Sequence, residues 1–169
     1  MVRRWFAGKG RFLAAAATVL GLDQWTKWLV ETHVPLHSSR EILPFLHLSN
    51  VRNTGVAFGL FASGGELMRT VALTLLGVAA LVLIVGIFAR TPASHSRLLW
   101  ALALVLGGAV GNLLDRVASG AVTDFVGVYL GSYRWPDFNV ADSAICIGVG
   151  LVLLDALRAP QAPPRPEEA

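Results

Sequence analysis

Charged residues are scarce in this sequence. Only 15% of its 169 residues are Asp, Glu, Lys or Arg, whereas 54% are hydrophobic and the mean hydropathy is +0.60. Soluble domains carry about 25% charged residues. The composition therefore argues against a water-soluble domain and indicates a membrane protein.

Cysteine and internal repetition are also in short supply. The single cysteine, Cys146, can form no internal disulfide and has no cysteine partner for a metal, so we expect a buried small hydrophobic side chain, no metal site and no cofactor. We find no internal repeat, which argues against the commonest transporter architectures. The net charge of +3 follows from basic loops beside the membrane and gives no reason to expect a nucleic acid partner.

Long apolar runs are what the chain has in abundance. A helix needs about 20 residues to cross a hydrocarbon core, and four runs approach that length, at residues 12–30, 67–88, 97–114 and 140–157. The first run also follows basic residues, as in a cleaved signal peptide, but it continues through DQWTKWLV without a cleavage site. The sequence therefore predicts one four-span domain over residues 1–158 and a disordered, Pro-rich cytoplasmic tail over 159–169.

Basic residues predict the orientation of these spans. They are concentrated at the amino end, in the loop between the second and third runs, and in the tail. Because Lys and Arg favour the cytoplasmic side, both termini are expected there, with residues 33–66 and 117–139 on the outer face.

Several spans contain polar residues, which are costly in a membrane and need a partner or a function. Asp23 and Lys27 lie four residues apart in the first run and can form a buried salt bridge. Gly107 and Gly111 form a GxxxG pattern that lets another helix approach closely. Three polar residues follow at the outer end of this run: Asn112, Asp115 and Arg116. Interfacial anchoring or interhelical hydrogen bonding alone would explain them.

Three further polar motifs lie between the spans. LHLSNVRNTGVAFGLF alternates around a turn at 53–55 and predicts paired strands. Asp124 interrupts the Val- and Tyr-rich stretch AVTDFVGVYLGSYRW. In FNVADSAI, Asn139 can cap the last helix and places Asp142 at its third position, where a carboxylate meets free N–H groups. Capping alone would explain Asp142.

The two loop-proximal aspartates suggest a chemical function together. Asp124 and Asp142 are predicted on the same outer face with a short connection between them. Two close carboxyl groups cannot both ionise easily, so they share a proton, and one can deprotonate water while the other protonates a peptide. This arrangement is the chemistry of an aspartic protease. A proton-coupled transporter or a non-enzymatic scaffold is the alternative, although the polar motifs concentrate toward one face rather than the midplane.

Taken as a set, the motifs resemble one family, the lipoprotein signal peptidases (signal peptidase II), which are bacterial membrane aspartic peptidases. The matching motifs are DQWTK at 23–27, NTGVAF at 53–58, GGAVGNLLDR at 107–116, VTDF at 122–125 and FNVADSAI at 138–145. Each motif alone is weak, but their order and placement on four spans are specific.

The resemblance implies a fold and a role for each matched residue. It implies four transmembrane helices, a small extracytoplasmic β-sheet cradle supplied mostly by residues 33–66, and an interfacial helix for which GLFASGGEL is the candidate. Asp124 and Asp142 would form the catalytic dyad. The residues that would orient the substrate and the dyad are Asn53, Gly55, Asn112, Arg116 and Asn139, and those that would support the site are Asp23, Lys27 and Asp115.

The resemblance also implies a substrate and a location. The substrate would be a prolipoprotein whose cysteine already carries diacylglycerol, cut on the amino side of that cysteine. The enzyme would be a monomer in the bacterial cytoplasmic (inner) membrane, in contact with membrane lipids, with its site at the extracytoplasmic face. Globomycin-like cyclic peptides would inhibit it.

Overall fold

The computed structural model describes residues 7–55 and 65–158. In this part of the chain there are four helices and four strands. In chain order they are α1 (Gly10–His33), β1 (Ser39–Leu43), β2 (Leu46–Asn53), α2 (Glu66–Arg90), α3 (Ser96–Ser119), β3 (Val122–Leu130), β4 (Tyr133–Phe138) and α4 (Val140–Arg158). Most of the predicted interfacial segment GLFASGGEL, residues 56–58 of NTGVAF and the tail over 159–169 lie outside the described residues.

The helices correspond to the four apolar runs, and three of them have clear membrane character. Within the described residues, Leu67–Arg90, Ser96–Ser119 and Val140–Arg158 are long and apolar enough to cross a membrane. Helix α1 is 24 residues long but contains Asp23, Lys27 and other charged residues, which lower its hydropathy. Three of the four predicted spans are therefore supported by length and composition, and the span at α1 stays a prediction.

Helix α3 lies at the centre of the helical bundle because its glycines admit neighbouring backbones. A Cβ on Gly107 would meet the Ala16 carbonyl oxygen of α1, and one on Gly108 would meet the Ala141 carbonyl oxygen of α4. A Cβ on Gly111 would meet the Asp23 carboxylate. The predicted close approach at the GxxxG pattern is therefore confirmed, and it brings α1 and α4 against the same helix.

The four strands form one antiparallel sheet in the order β1-β2-β3-β4. Strand β3 is central and buried at its start, and a turn containing Gly131, at φ 64°, leads into β4. Two strands come from each of the two loop regions, so residues 117–139 contribute as many strands to the described sheet as residues 33–66 do. The reason is that RWPDF, despite its proline, continues as β4, where Pro is tolerated at a sheet edge.

A small apolar cluster attaches the sheet to the carboxyl-terminal end of α1. Val30 and Val34 pack against Phe125 of β3, and all three are buried. Because side chains alternate along a strand, Phe125 faces α1 while the adjacent Asp124 faces the other side of the sheet. This packing directs Asp124 toward the start of α4.

One prediction about a single residue is wrong. Cys146 is exposed on α4 instead of buried. The large hydrophobic side chains Ile147, Leu151 and Leu154 of the same helix are exposed as well. Apolar character therefore does not imply burial on a membrane helix, because lipid is as apolar as a protein interior.

Candidate active site

Helix α4 begins with a reciprocal cap. The Asp142 N–H donates to Asn139 Oδ1 at 2.9 Å, and the Asn139 N–H donates to Asp142 Oδ2 at 3.3 Å. These two bonds satisfy N–H groups that a helix start otherwise leaves unpaired. The prediction that Asn139 of FNVADSAI caps the last helix is therefore confirmed.

Asn139 does more than cap the helix. Its side-chain Nδ2, which is fully buried, lies 2.7 Å from Asp124 Oδ1 and 3.2 Å from Asn112 Oδ1. Asn139 thus contacts both candidate catalytic carboxyl groups, that of Asp142 through its backbone N–H and that of Asp124 through its side-chain amide nitrogen. Capping and participation in a carboxylate pair are compatible.

Asp124 is held on β3 by two amide donors. It pairs in register with Val51 of β2, and Asn53 Nδ2, two residues further along β2, donates to Asp124 Oδ2 at 2.8 Å. The Asp124 side chain is almost fully buried, at 2% relative exposure. Loss of solvation raises the pKa of Asp124 to about 7, the hydrogen bond from Asn53 opposes that rise, and the negative charge of Asp142 adds to it. Asp124 can therefore hold a proton near neutral pH.

Asp142 is held by α3 as well as by its own cap. Asn112 Nδ2 donates to Asp142 Oδ1 at 2.7 Å. The other side-chain atom of Asn112, Oδ1, accepts from Asn139 and from Lys27 Nζ, the latter at 3.0 Å. Asn112 therefore connects the aspartate pair to the charged residues of α1.

The charged residues of α1 form a buried cluster behind the pair. Lys27 Nζ lies 2.8 Å from Asp23 Oδ2 and 2.8 Å from Asp115 Oδ2. The second oxygen of Asp23, Oδ1, accepts the Ala141 N–H at 2.9 Å, so α1 also satisfies the start of α4. The predicted Asp23–Lys27 salt bridge is present, and Gln24, which the sequence did not single out, donates to Asp115 at 2.9 Å.

Two predicted site residues lie at the edge of this network. Arg116 Nη1 donates to the Asn112 carbonyl oxygen of its own helix at 3.3 Å. Among the described residues, Arg116 forms no hydrogen bond or ion pair with Asp124 or Asp142. Gly55 has φ 84° and donates its N–H to Asn53 Oδ1 at 2.8 Å, which fixes the amide that contacts Asp124. Gly55 thus acts through Asn53.

A cleft of about 310 Å³ opens on the Asp124 side of the sheet. Asn53, Thr54 and Asp124 line it from one side, and Pro136 and Asp137 from the other. Asp137 lies outside the matched motifs and forms an ion pair with Arg134 at 2.8 Å. Asp137 is recognised as a cleft residue only from its position on β4 near Asp124. The sequence alone gives no signal of that position.

The fold and site define a membrane protein in which two carboxyl groups share one hydrogen-bonded network at one end of a helical bundle. Residues 15–158 match the family model described as signal peptidase (SPase) II. The chain belongs to the signal peptidase II family.

Individual relatives agree with this assignment. A lipoprotein signal peptidase of Symbiobacterium thermophilum is 47% identical over 144 residues, which cover 84% of this chain and 90% of the relative. One of Solibacter usitatus is 42% identical over 144 residues, covering 85% and 88%. A solved bacterial membrane enzyme structure superposes with a TM-score of 0.76 at 32% identity, covering 89% of this chain and 94% of the other.

Proposed function

We propose that this protein is a membrane aspartic endopeptidase that removes the signal peptide from diacylglyceryl-modified prolipoproteins. The cut falls on the amino side of the lipidated cysteine, and Asp124 and Asp142 are the catalytic dyad. The observation that carries this proposal is the bridge at Asn139, whose side-chain Nδ2 donates to the Asp124 carboxyl group and whose backbone N–H donates to the Asp142 carboxyl group. The names of the relatives, lipoprotein signal peptidase, supply the substrate class.

The environments of the two carboxyl groups assign their roles. Asp124 is buried on a strand and its pKa of about 7 allows it to carry the shared proton. Asp142 accepts from Asn112 and from the Asn139 N–H at a helix start, which suits a carboxylate. Asp142 therefore acts as the base and Asp124 as the acid.

The reaction follows from these protonation states. Asp142 removes a proton from a water molecule as the water oxygen attacks the scissile carbonyl carbon, and Asp124 donates its proton to the carbonyl oxygen. The tetrahedral intermediate then collapses as Asp142 returns a proton to the cysteine nitrogen and the C–N bond breaks. Asp124 regains its proton from one hydroxyl group of the intermediate, and the oxygen of that group becomes the carbonyl oxygen of the new carboxylic acid. No cofactor takes part.

The remaining matched residues position these groups. Asn53, Asn112 and Asn139 hold the two carboxyl groups, and Gly55 holds Asn53. Arg116 orients the substrate at the edge of the network. The cluster of Asp23, Lys27 and Asp115 supports the site by tying α1 to α3 and to the start of α4.

Helix α1 completes the membrane domain as a fourth span. Its length of 24 residues corresponds to about 36 Å, and its Asp23 and Lys27 side chains are buried in the bundle and paired, which removes them from lipid. Both termini then face the cytoplasm and the sheet lies on the outer face of the bacterial inner membrane. There the enzyme acts as a monomer, and globomycin-like cyclic peptides inhibit it.

Cleavage by the purified protein tests the proposal. In detergent, the wild type should process a diacylglyceryl-modified prolipoprotein, whereas Asp124→Asn and Asp142→Asn should each abolish cleavage. Asp155→Asn is the matched control, because Asp155 is on the same helix as Asp142 but borders a different pocket. Normal cleavage by either dyad variant would eliminate the aspartic mechanism.

A further inference from the structure

A second, unassigned pocket lies at the outer end of α1. It has a volume of about 290 Å³, and its polar lining includes Glu31, His33, Asn50 and Arg52. Glu31 and Thr123 of β3 are hydrogen-bonded, which places this pocket on the face of the sheet opposite Asp124.

The polar lining contains unused hydrogen-bond acceptors. Asn50 is buried, at 3% relative exposure, and its Nδ2 donates to the Val34 carbonyl oxygen, but Oδ1 has no partner in the described residues. Among the described residues, Thr123 and Arg52 both contact the same oxygen of Glu31, Oε1, which leaves Oε2 open to a ligand. A buried acceptor without a donor is costly, so Asn50 Oδ1 indicates a ligand with an N–H donor, and the Glu31 carboxylate, at 37% relative exposure, is accessible to the same donor.

The same pocket offers positive charge. The Arg52 guanidinium lies 3.3 Å from Glu31 and 2.8 Å from Ser119 Oγ, and it is one-third exposed. The exposed His33 ring borders the pocket as well. Acceptors and a cation side by side match a zwitterion that carries an ammonium and a phosphate group.

An apolar groove continues directly from this polar pocket. It has a volume of about 390 Å³ and is lined mainly by Leu29, Val30, Leu48 and Phe125, while His33 and Val34 border both cavities. The groove is therefore suited to a hydrocarbon chain whose polar end occupies the neighbouring pocket.

The position along α1 agrees with the level of lipid headgroups. Trp25 and Trp28 are more than half exposed near this end of the helix. Tryptophan is enriched where a membrane meets water. If α1 crosses the bilayer as proposed above, the polar pocket lies at the interface and the groove lies below it.

We propose that the Glu31–Asn50–Arg52 pocket and the adjoining groove bind a phospholipid with a primary-amine headgroup, phosphatidylethanolamine. The ammonium group contacts Glu31 and Asn50 Oδ1, the phosphate contacts Arg52, and one acyl chain occupies the groove. In the uncleaved prolipoprotein the nitrogen of the lipidated cysteine is an uncharged amide and the diacylglyceryl group carries no phosphate, so this ligand is distinct from the proposed substrate. Because Arg52 of β2 also borders the cleft that contains Asp124, the lipid and that cleft would lie on opposite faces of the sheet at the same strand.

Native mass spectrometry of the detergent-purified protein, titrated with defined lipids, tests the proposal. Phosphatidylethanolamine should bind about tenfold more tightly than its N-trimethylated counterpart, phosphatidylcholine, because a charged hydrogen bond is lost on methylation. Glu31→Gln keeps the acceptor for Thr123 but removes the charge, and it should abolish that preference. Glu41→Gln, at an exposed position on β1 outside the pocket, should preserve it.

Further measurements distinguish recognition of the lipid headgroup from recognition of the acyl chain. Leu48→Trp fills the groove and should weaken the binding of all diacyl lipids. Thermal unfolding in the absence of lipid verifies that each variant is folded. Diacylglycerol and free glycerophosphoethanolamine should each bind more weakly than the intact lipid. Equal binding of phosphatidylethanolamine, phosphatidylcholine and diacylglycerol by the wild type would overturn the proposal, as would an unchanged preference in folded Glu31→Gln.

Discussion

Replacing Asp124 with asparagine should change how the stability of the protein depends on pH. In the wild type the pKa of Asp124 is about 7, against an ordinary value of 3.8 in the unfolded chain. Below pH 3.8 both states are protonated and the shift has no effect. As the pH rises above 3.8, the unfolded chain releases the proton while the folded chain keeps it, so the folded state loses relative stability until about pH 7.

The size of this effect follows from the two pKa values. One pKa unit corresponds to about 1.36 kcal/mol, so the loss is about 2 kcal/mol at pH 5 and about 4 kcal/mol well above pH 7. Between pH 5 and pH 9 the wild type therefore loses between about 2 and 3 kcal/mol through this group. For a chain of this length, that corresponds to a fall of about 4–12 °C in Tm.

Replacing Asp124 with asparagine removes the titratable carboxyl group, and it also removes one hydrogen bond. The two oxygens of Asp124 accept from Asn53 and Asn139, whereas an asparagine has a single acceptor oxygen. The unmatched donor costs about 1–3 kcal/mol at every pH. Because the wild type has already lost about 2 kcal/mol at pH 5, Asp124→Asn should lie within about 1 kcal/mol of the wild type there, and it should be about 1–3 kcal/mol more stable than the wild type by pH 9.

Thermal unfolding in detergent from pH 5 to pH 9 measures this difference. Asp155→Asn serves as the control, and its curve should run parallel to that of the wild type. If the Asp124→Asn curve also ran parallel, the carboxyl group would not be protonated at neutral pH, and the assignment of Asp124 as the acid would be refuted.

Three further perturbations test the site and the bundle. The kcat/KM for cleavage should fall about tenfold per pH unit above pH 7, because Asp124 must be protonated; a flat profile up to pH 9 would contradict this. Lys27→Met strips two buried carboxylates of their cation and should cost about 3–5 kcal/mol, measured as a lower Tm or loss of folded protein; an unchanged Tm would show that the cluster is not structural. Gly108→Ala should lower the Tm because its Cβ meets the Ala141 carbonyl oxygen, whereas Gly86→Ala, with open space around it, should raise the Tm slightly; equal effects would argue against close packing of α3 and α4.

The positions of the helices could be predicted from the sequence because long apolar runs directly reflect helix length. The GxxxG pattern at Gly107 and Gly111 and the i,i+4 pair at Asp23 and Lys27 were local signals of the same kind, and both correspond to contacts in the structure. The cap at Asn139 was also local, since a cap depends on residues three apart.

Contacts between distant segments could not be derived in this way. The pairing of β2 with β3 brings Asn53 to Asp124, 71 residues further along the chain. No periodicity in the sequence specifies that register, so the grouping of these residues depended on the family resemblance. The same limit applies to Gln24 and Asp137, whose partners follow only from the assembled sheet and bundle.

Burial was the other property that local patterns described poorly. Cys146 is apolar and lies in a membrane helix, yet it faces outward. In water, an apolar residue is driven inward, but a lipid-facing helix side experiences no such force. On these helices the charged residues are the better guide to the interior, as Asp23 and Lys27 show.

If Asp124 and Asp142 are the catalytic pair proposed above, the double role of Asn139 makes catalytic competence depend on the order of a single helical turn. Fraying of the first turn of α4 would break the Asn139–Asp142 cap and release Asp142 from its position relative to Asp124, while the bundle stayed folded. Such a local opening requires less free energy than global unfolding. Heat should therefore inactivate the enzyme before it melts, and the temperature at which activity disappears should coincide with faster hydrogen exchange at the Asp142 amide.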